Sequence, residues 1–452
     1  MKTLTLILLS LSFTYGQDIF KVKHIYRYLN ESNPFYYETI AQEHIAKGKE
    51  LFAKGSLDTQ LNASYDNKNY PTTAGTYEGV EIFKPIENGI EFSLGYRKSK
   101  GVQEYNNIKT GKNGEIISSV KVPIVSLLHD ISKNKVNIES ARLGTKQFKY
   151  GSQEKKLKLY FNIGKIYYQL LLQKELTSKQ EELLKKIEKT NHFISQQIQL
   201  GELPKVAKIE VEQVILSRKR LYFNEKNNFN RIKNIFLSYL GIDENSFNRR
   251  YLLPRLRVEK DSLPTMDEAI QIAIENRPNL KMIDVALEKN TLGKKYNQLG
   301  KYPKVDMKLS TVYDPINEEG YKISFNVNFP IETQKYRGTE EILQKKKMML
   351  HNQKLKQIME LKTDILNIYQ KIETKKMMTT LLEEELVLVK KLEYVEQRKL
   401  EEGVGTLVLL NQREISTLKV EQKLLKAYYD LATYTLEVNY SLGQLKETFF
   451  IP

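Results

Sequence analysis

Cysteine is absent from this 452-residue chain. That excludes disulfides, thiolate metal sites, thiol nucleophiles and a lipid-modified N-terminal cysteine. Proline is missing over two long stretches, between Pro123 and Pro204 and again between Pro330 and Pro452. Beyond residue 20 no apolar run has the length of a membrane helix. The mean hydropathy is −0.49 and 28% of residues are charged, so a polytopic helical membrane protein is excluded. His24, His44, His129, His192 and His351 stand alone, without the HxxxH or HxxE spacing that puts two ligands on one helix face. No glycine-rich phosphate loop or serine elbow occurs. GVGT at 403–406 follows no strand and precedes no Gly-Lys-Ser/Thr, and Glu383–Glu384–Glu385 reads as a solvated helix face. The chain reads as no enzyme, with no catalytic residue, no metal and no cofactor.

What is present begins with MKTLTLILLSLSFTYGQD. Lys2, the apolar run Leu4–Phe13 and the small residues Thr14 and Gly16 predict a secretory signal over 1–16, cleaved after Gly16. The run is too short to span a bilayer as a helix. Lys and Arg number 71 against 55 Asp and Glu, for a formal charge of +16. In an exported chain that surplus belongs to solvated helix faces rather than to a nucleic-acid site; contact with acidic lipid headgroups or steering of anionic cargo is the weaker alternative.

From about Leu127 to Leu200 the residues are mostly helix formers, with Leu183, Ile187, Ile194 and Ile198 at helical spacing. A later stretch repeats the pattern through Leu355, Ile358, Ile365, Ile368 and Ile372, then Leu381, Leu388, Leu392 and Val395. Each apolar stripe is narrow, the mark of helices packed side by side in a coiled-coil-like bundle. A helix of about 70 residues is roughly 105 Å long. The return helix, Lys205–Leu240, is half that length, and a helix over about Asn279–Leu299 continues its path. Both long helices break at glycine: QLGELPK and EEGVGTL place Gly201 and Gly403 202 positions apart (403 − 201), and Gly241 and Gly443 repeat that offset. Two helical hairpins of one geometry are therefore predicted.

Between the helices the period changes to two. Leu57–Asp66, Ile90–Arg97, Lys304–Tyr313 and Tyr321–Phe329 alternate apolar with polar residues. In a sandwich the polar face meets solvent. In a transmembrane barrel the apolar face meets lipid and the polar face lines water. On the barrel reading Leu61, Leu94, Leu309 and Phe325 face lipid, while Asn62, Asp306 and Asn326 face the lumen. Tyr65, Tyr96, Tyr302, Tyr313 and Tyr321 lie near strand ends, where an interfacial aromatic girdle sits. One chain has too few strands to close a barrel with a lumen, and an open edge cannot face lipid. Copies must therefore join in a ring.

The doubled strand–long-helix–tip–half-helix unit resembles the TolC-like outer membrane factor family over nearly all of the mature chain. The resemblance rests on AIQIAIENRPNL (269–280) and its fainter counterpart IYRYLNESNPFY (25–36), on VPI (122–124) and FPI (329–331), and on the glycine turns. It divides the chain after the signal into repeat 1 at 17–242, a linker or equatorial segment at 243–264, repeat 2 at 265–445 and a tail at 446–452. Within repeat 1 it implies a short helix, strands at about 57–123, a long helix at about 127–200, a tip at 201–204 and a return helix at 205–240. Within repeat 2 it implies helices at about 265–300, strands at about 303–331, a long helix at about 335–402, a tip at 403–406 and a return helix at 407–442. The fold implied is an α+β membrane protein, with duplicated helical hairpins forming a periplasmic coiled-coil tunnel and strands contributing to a trimeric transmembrane barrel. The function implied is a passive homotrimeric conduit of the outer membrane, for efflux or type I secretion, that meets a periplasmic adaptor and an inner-membrane pump. Gly201, Leu203, Pro204, Gly403, Gly405 and Thr406 are then the adaptor-docking tips, with Lys205, Lys208, Asn411 and Glu414 at the entrance. The other function open to the sequence is an adhesive or structural coiled-coil rod without a pore; the polar strand faces favour the conduit.

Two departures from the family pattern matter. Repeat 1 has Leu57–Asp58 where repeat 2 starts its strand with Pro303, and it spends about 56 residues between its first strand and Pro123. YEGVEIF (77–83) and IEFSLGY (90–96), joined by KPIENG, form an extra hairpin. In the wall it gives six strands per copy and eighteen per trimer; outside it leaves four and twelve. The clean alternation at 90–96 tilts towards the wall.

Overall fold

The computed structural model describes residues 17–69, 71, 74–101, 110–257, 263–315 and 318–445; the expected signal peptide and C-terminal tail lie outside the described residues. In chain order the elements are β1 (Asp18–Ile19), α1 (Pro34–Lys54), β2 (Gln60–Asn69), β3 (Ala74–Pro85), β4 (Glu91–Gly101), β5 (Glu115–Pro123), α2 (Ile124–Leu128), α3 (Lys133–Gln199) and α4 (Val206–Leu240). There follow α5 (Glu244–Arg250), β6 (Tyr251–Leu252), α6 (Met266–Asn276), α7 (Pro278–Asn297), β7 (Lys304–Asp314), β8 (Glu318–Asn328), α8 (Gln334–Glu401) and α9 (Leu407–Ser441). Two compact units result, each drawing segments from both repeats: Met1–Thr39, Glu154–Arg277 and Met359–Pro452 form one, Ile40–Gln153 and Pro278–Ile358 the other.

The first unit is helical apart from a small sheet in which β1 lies parallel to β6. Phe20, fully buried, is its hub, with ring contacts to Phe236, Phe247, Tyr251 and Tyr167. Thr265 and Glu268 form a capping box that starts α6. Each repeat then uses the residue before a helix-opening proline as a tie. Asn33 Nδ2 donates to Tyr239 O (2.9 Å) near the end of α4, and Arg277 Nη1 donates to Tyr440 O (2.8 Å) near the end of α9. Arg277 also bonds Glu154 at 2.7 Å. The NRPNL and SNPFY stretches thus hold each return helix by its terminal carbonyls, groups that have no partner within the helix.

The second unit centres on one antiparallel sheet of order β2-β3-β4-β5-β7-β8. The hairpin β3–β4 is inserted between β2 and β5 within this sheet. Pairing of β5 with β7, from Ile116–Tyr313 to Pro123–Asp306, joins the two repeats.

Candidate functional site

The faces of the six-stranded sheet are inverted relative to a water-soluble sheet. Register puts Val80, Tyr96, Ile116 and Tyr313 side by side across four strands, and Phe92, Val120, Leu309 and Ile323 in another row. Apart from the half-buried Val120 these apolar side chains are exposed, as are others of the same face: Leu94 is 55% exposed, Leu309 44% and Phe325 64%. Several polar side chains of the opposite face, on β5 and β7, are shielded by their neighbours. Ser119 and Ser310 are 4% and 3% exposed and share a 2.9 Å hydrogen bond, and Asp306 and Glu115 are buried. Crowding on one side and spreading on the other follow when a sheet curls with its polar side concave. Gly95 lies on the concave side, where a Cβ would come within 2.8 Å of Val80 O, so the closest approach of two strands requires glycine there.

Leu61, Leu94, Leu309 and Phe325 thus lie on the exposed apolar face, while Asn62, Asp306 and Asn326 occupy the other. The last three differ in setting. Asn62 and Asn326 are exposed on edge strands, whereas Asp306 is buried with the Lys304 ammonium 3.2 Å away. Tyr65, Tyr96, Tyr313 and Tyr321 share the apolar face and are all exposed.

The two hairpin tips have one backbone design. Gly201 and Gly403 both take φ of 78°, and each ends its long helix with the same pair of hydrogen bonds. Glu202 N donates to Gln197 O and Gly201 N to Ile198 O; Val404 N donates to Lys399 O and Gly403 N to Leu400 O. This is the left-handed glycine cap, which satisfies carbonyls the helix leaves open. Gly405 has another reason to be glycine, since its Cβ would sit 2.7 Å from Leu400 N. Thr406 then caps α9 by accepting from Leu409 N (3.3 Å). Leu203 packs with Ile187, Ile194, Val211 and Leu407, so one cluster joins both tips. Around it Leu200 (70%), Val404 (75%), Val206 and Val408 are exposed apolar residues.

The residues expected at the entrance separate. Lys205 is exposed, and Lys208 donates to Ser195 Oγ at 2.8 Å. Glu414 is not on the open surface of this chain but lines a charged cavity. It is 5% exposed and accepts from Arg218 Nη2 at 2.5 Å, and Asn411 Oδ1 accepts from the same nitrogen at 2.6 Å. Arg218 Nη1 donates to Leu183 O at 2.8 Å. The reason is position: Glu414 follows Leu407 by one heptad and shares its inward face, so it must be paired rather than solvated. The cavity, of about 310 Å³, is also lined by Lys179, Lys186, Glu393 and Glu421. Burial raises the Glu414 carboxyl above the ordinary value, and the Arg218 guanidinium opposes that shift. Arg218 was not distinguishable in the sequence from its neighbours Lys219 and Arg220, except by standing one heptad after the buried Val211.

This architecture is that of solved outer membrane channels. The MtrE outer membrane channel of Neisseria gonorrhoeae, in its open state, superposes with a TM-score of 0.70 at 14% identity, over 94% of this chain and 89% of that one. CusC, solved in a study of folding and transmembrane channel formation, gives 0.69 at 13%, over 93% and 91%. The outer membrane protein VceC of Vibrio cholerae gives 0.69 at 12%, over 93% and 96%. No family model and no curated protein matches the sequence. At these identities the likeness is one of fold, the helix-rich α+β chain that the resemblance to TolC-like outer membrane factors implies.

Proposed function

We propose that this chain is the outer membrane component of an export system, a homotrimeric conduit that receives cargo from an inner-membrane pump through a periplasmic adaptor. The pump serves either efflux or type I secretion. Three sheets together form the wall of a transmembrane barrel, and the helical hairpins form a periplasmic tunnel whose tips dock the adaptor. One observation carries the reading: the sheet exposes a row of apolar residues on one face and buries polar ones of its inner strands, such as Ser119, Asp306 and Ser310, on the other. In water that arrangement leaves a wide apolar patch uncovered, whereas in a bilayer it is the arrangement required. Likeness in fold to proteins described as outer membrane channels supports the same conclusion.

The test uses the purified full chain in a planar lipid bilayer. Discrete ion-conducting steps are expected. A protein that inserts and trimerises but never conducts would instead be an anchored rod.

A further inference from the structure

We infer that the β3–β4 hairpin is part of the barrel wall, so that three copies close a barrel of eighteen strands, six from each. The inference rests on the trimeric conduit just proposed and adds to it the width of the outer-membrane pore.

Four observations carry it. First, the hairpin is paired along both sides: β3 with β2 from Gln60–Phe83 to Asn69–Ala74, and β4 with β5 from Glu91–Lys121 to Arg97–Glu115. A flap lying outside a four-stranded wall would leave β2 to pair with β5. Second, both faces continue through the middle of the hairpin, although Phe83 falls on the polar side and Glu78 and Lys98 end the apolar one. Leu61, Ile82 and Leu94 are adjacent on the apolar side, and on the concave side Arg97 pairs with Glu115 while Lys121 reaches Glu91 at 3.1 Å. Third, the turn between β3 and β4 is anchored at the root of α3. Ser132 Oγ donates to Glu87 O at 2.5 Å, Gly89 rests against Pro123 and Ser132, and Lys84 Nζ donates to Leu57 O at 2.7 Å.

The fourth observation concerns closure. A hairpin adds two strands and so preserves direction. With six antiparallel strands the edges β2 and β8 run opposite ways, as the edges of a four-stranded sheet do. The β8 edge of one copy therefore meets the β2 edge of the next in antiparallel pairing. Edge backbone groups facing lipid would have no hydrogen-bond partner, so the ring must close. Barrel diameter grows about linearly with strand number, making the pore about 1.5-fold wider than one of twelve strands. Such a pore suits bulky cargo better than a narrow exit does.

The native chain has no cysteine, so single cysteines report cleanly. Full-length protein in its own outer membrane is treated with a membrane-impermeant maleimide. Leu94→Cys and Ile82→Cys should resist labelling as fully as Leu309→Cys on β7, whereas Ser93→Cys on the concave face and Lys112→Cys in the β4–β5 connection should label. Labelling of Leu94→Cys as fast as Lys112→Cys, with Leu309→Cys still protected, overturns the hairpin's place in the wall and leaves the conduit standing. If Leu309→Cys also labels, the lipid-facing reading of the whole sheet falls, and the proposed conduit with it. Cryo-electron microscopy of the assembly in lipid nanodiscs supplies an independent count. Eighteen strands bear the inference out; twelve, whether from two copies or from an outlying hairpin, overturn it.

Discussion

Arg218 and Glu414 occupy positions where a coiled coil ordinarily places leucine. Stripes at heptad spacing run through Val211, Arg218, Glu225 and Ile232 on α4, and through Leu407, Glu414, Glu421 and Tyr428 on α9. A reading for apolar periodicity skips the charged members, so nothing in the stripe singles out Arg218 or marks Glu414, which only the resemblance puts at an entrance. Replacing one member of a buried ion pair leaves the other uncompensated, at about 3–5 kcal/mol. Arg218→Met should accordingly lower the unfolding midpoint by a large margin, while Arg220→Met on the exposed face should hardly move it. A pH signature accompanies the loss. Without Arg218 the raising influence of burial on Glu414 is opposed only by the weaker pull of Lys186, which Glu393 counters in turn, so its folded-state pKa climbs further above the unfolded value. A raised carboxyl contributes its stability fully below the unfolded pKa and loses it as pH rises through the folded one. Acidification from neutral pH towards the ordinary carboxylate range should therefore recover part of the variant's deficit relative to wild type. Urea denaturation at two pH values measures it. A deficit of equal size at both would mean that Glu414 is not the group left unpaired.

At the scale of elements, the helices were legible because one signal, apolar spacing closed by glycine, repeats many times along each. α3 ends at Gln199 and α8 at Glu401, each within a residue or two of the expected stop. The strands were legible where alternation is clean, as in β4, β7 and β8. β5 shows only by its end at Val122–Pro123 and by the strand count, because Ser118 falls on its apolar face and Ile117 on its polar one, so the period is broken at its centre. The pairing order was not legible, since alternation fixes faces but not neighbours. The faces make a prediction that the two sides of the sheet should obey in opposite senses. Lys at Leu309 or Phe325 should impair insertion by about 2–4 kcal/mol near the bilayer midplane. Lys at Asn62 or Asn326 should leave the amount of folded trimer unchanged and shift ion selectivity. Asp306 does not belong with these two, because Lys there would bury a second cation beside Lys304. Heat-resistant trimer on a semi-native gel, followed by reversal-potential measurements, separates the outcomes. Equal damage from both faces would argue for a water-soluble sandwich.

At the scale of the molecule, the 202-residue offset gave away the duplication, but it did not show that both tips would share one core. Leu203 of one hairpin and Leu407 of the other pack in the same cluster. Leu200, Val206, Val404 and Val408 stand exposed around that cluster, and apolar side chains gathered on a surface mark a place where another protein sits. The choice of residue decides what a substitution there can report. Gly405 is pressed against the backbone of Leu400, and Gly403 needs its positive φ, so side chains at either position perturb the turn itself. Val404 lies between them, is 75% exposed and carries no such constraint. Val404→Asp should therefore leave the turn, the trimer and the conductance in a planar bilayer as they are. It should abolish export in cells, because a charge desolvated without a partner opposes docking of an apolar adaptor tip. Cells carrying Val404→Asp with normal amounts of trimer should lose export as completely as cells without the protein. Undiminished export in those cells would remove the tips from the docking surface, and the adaptor would have to be sought along the flanks of the helical hairpins.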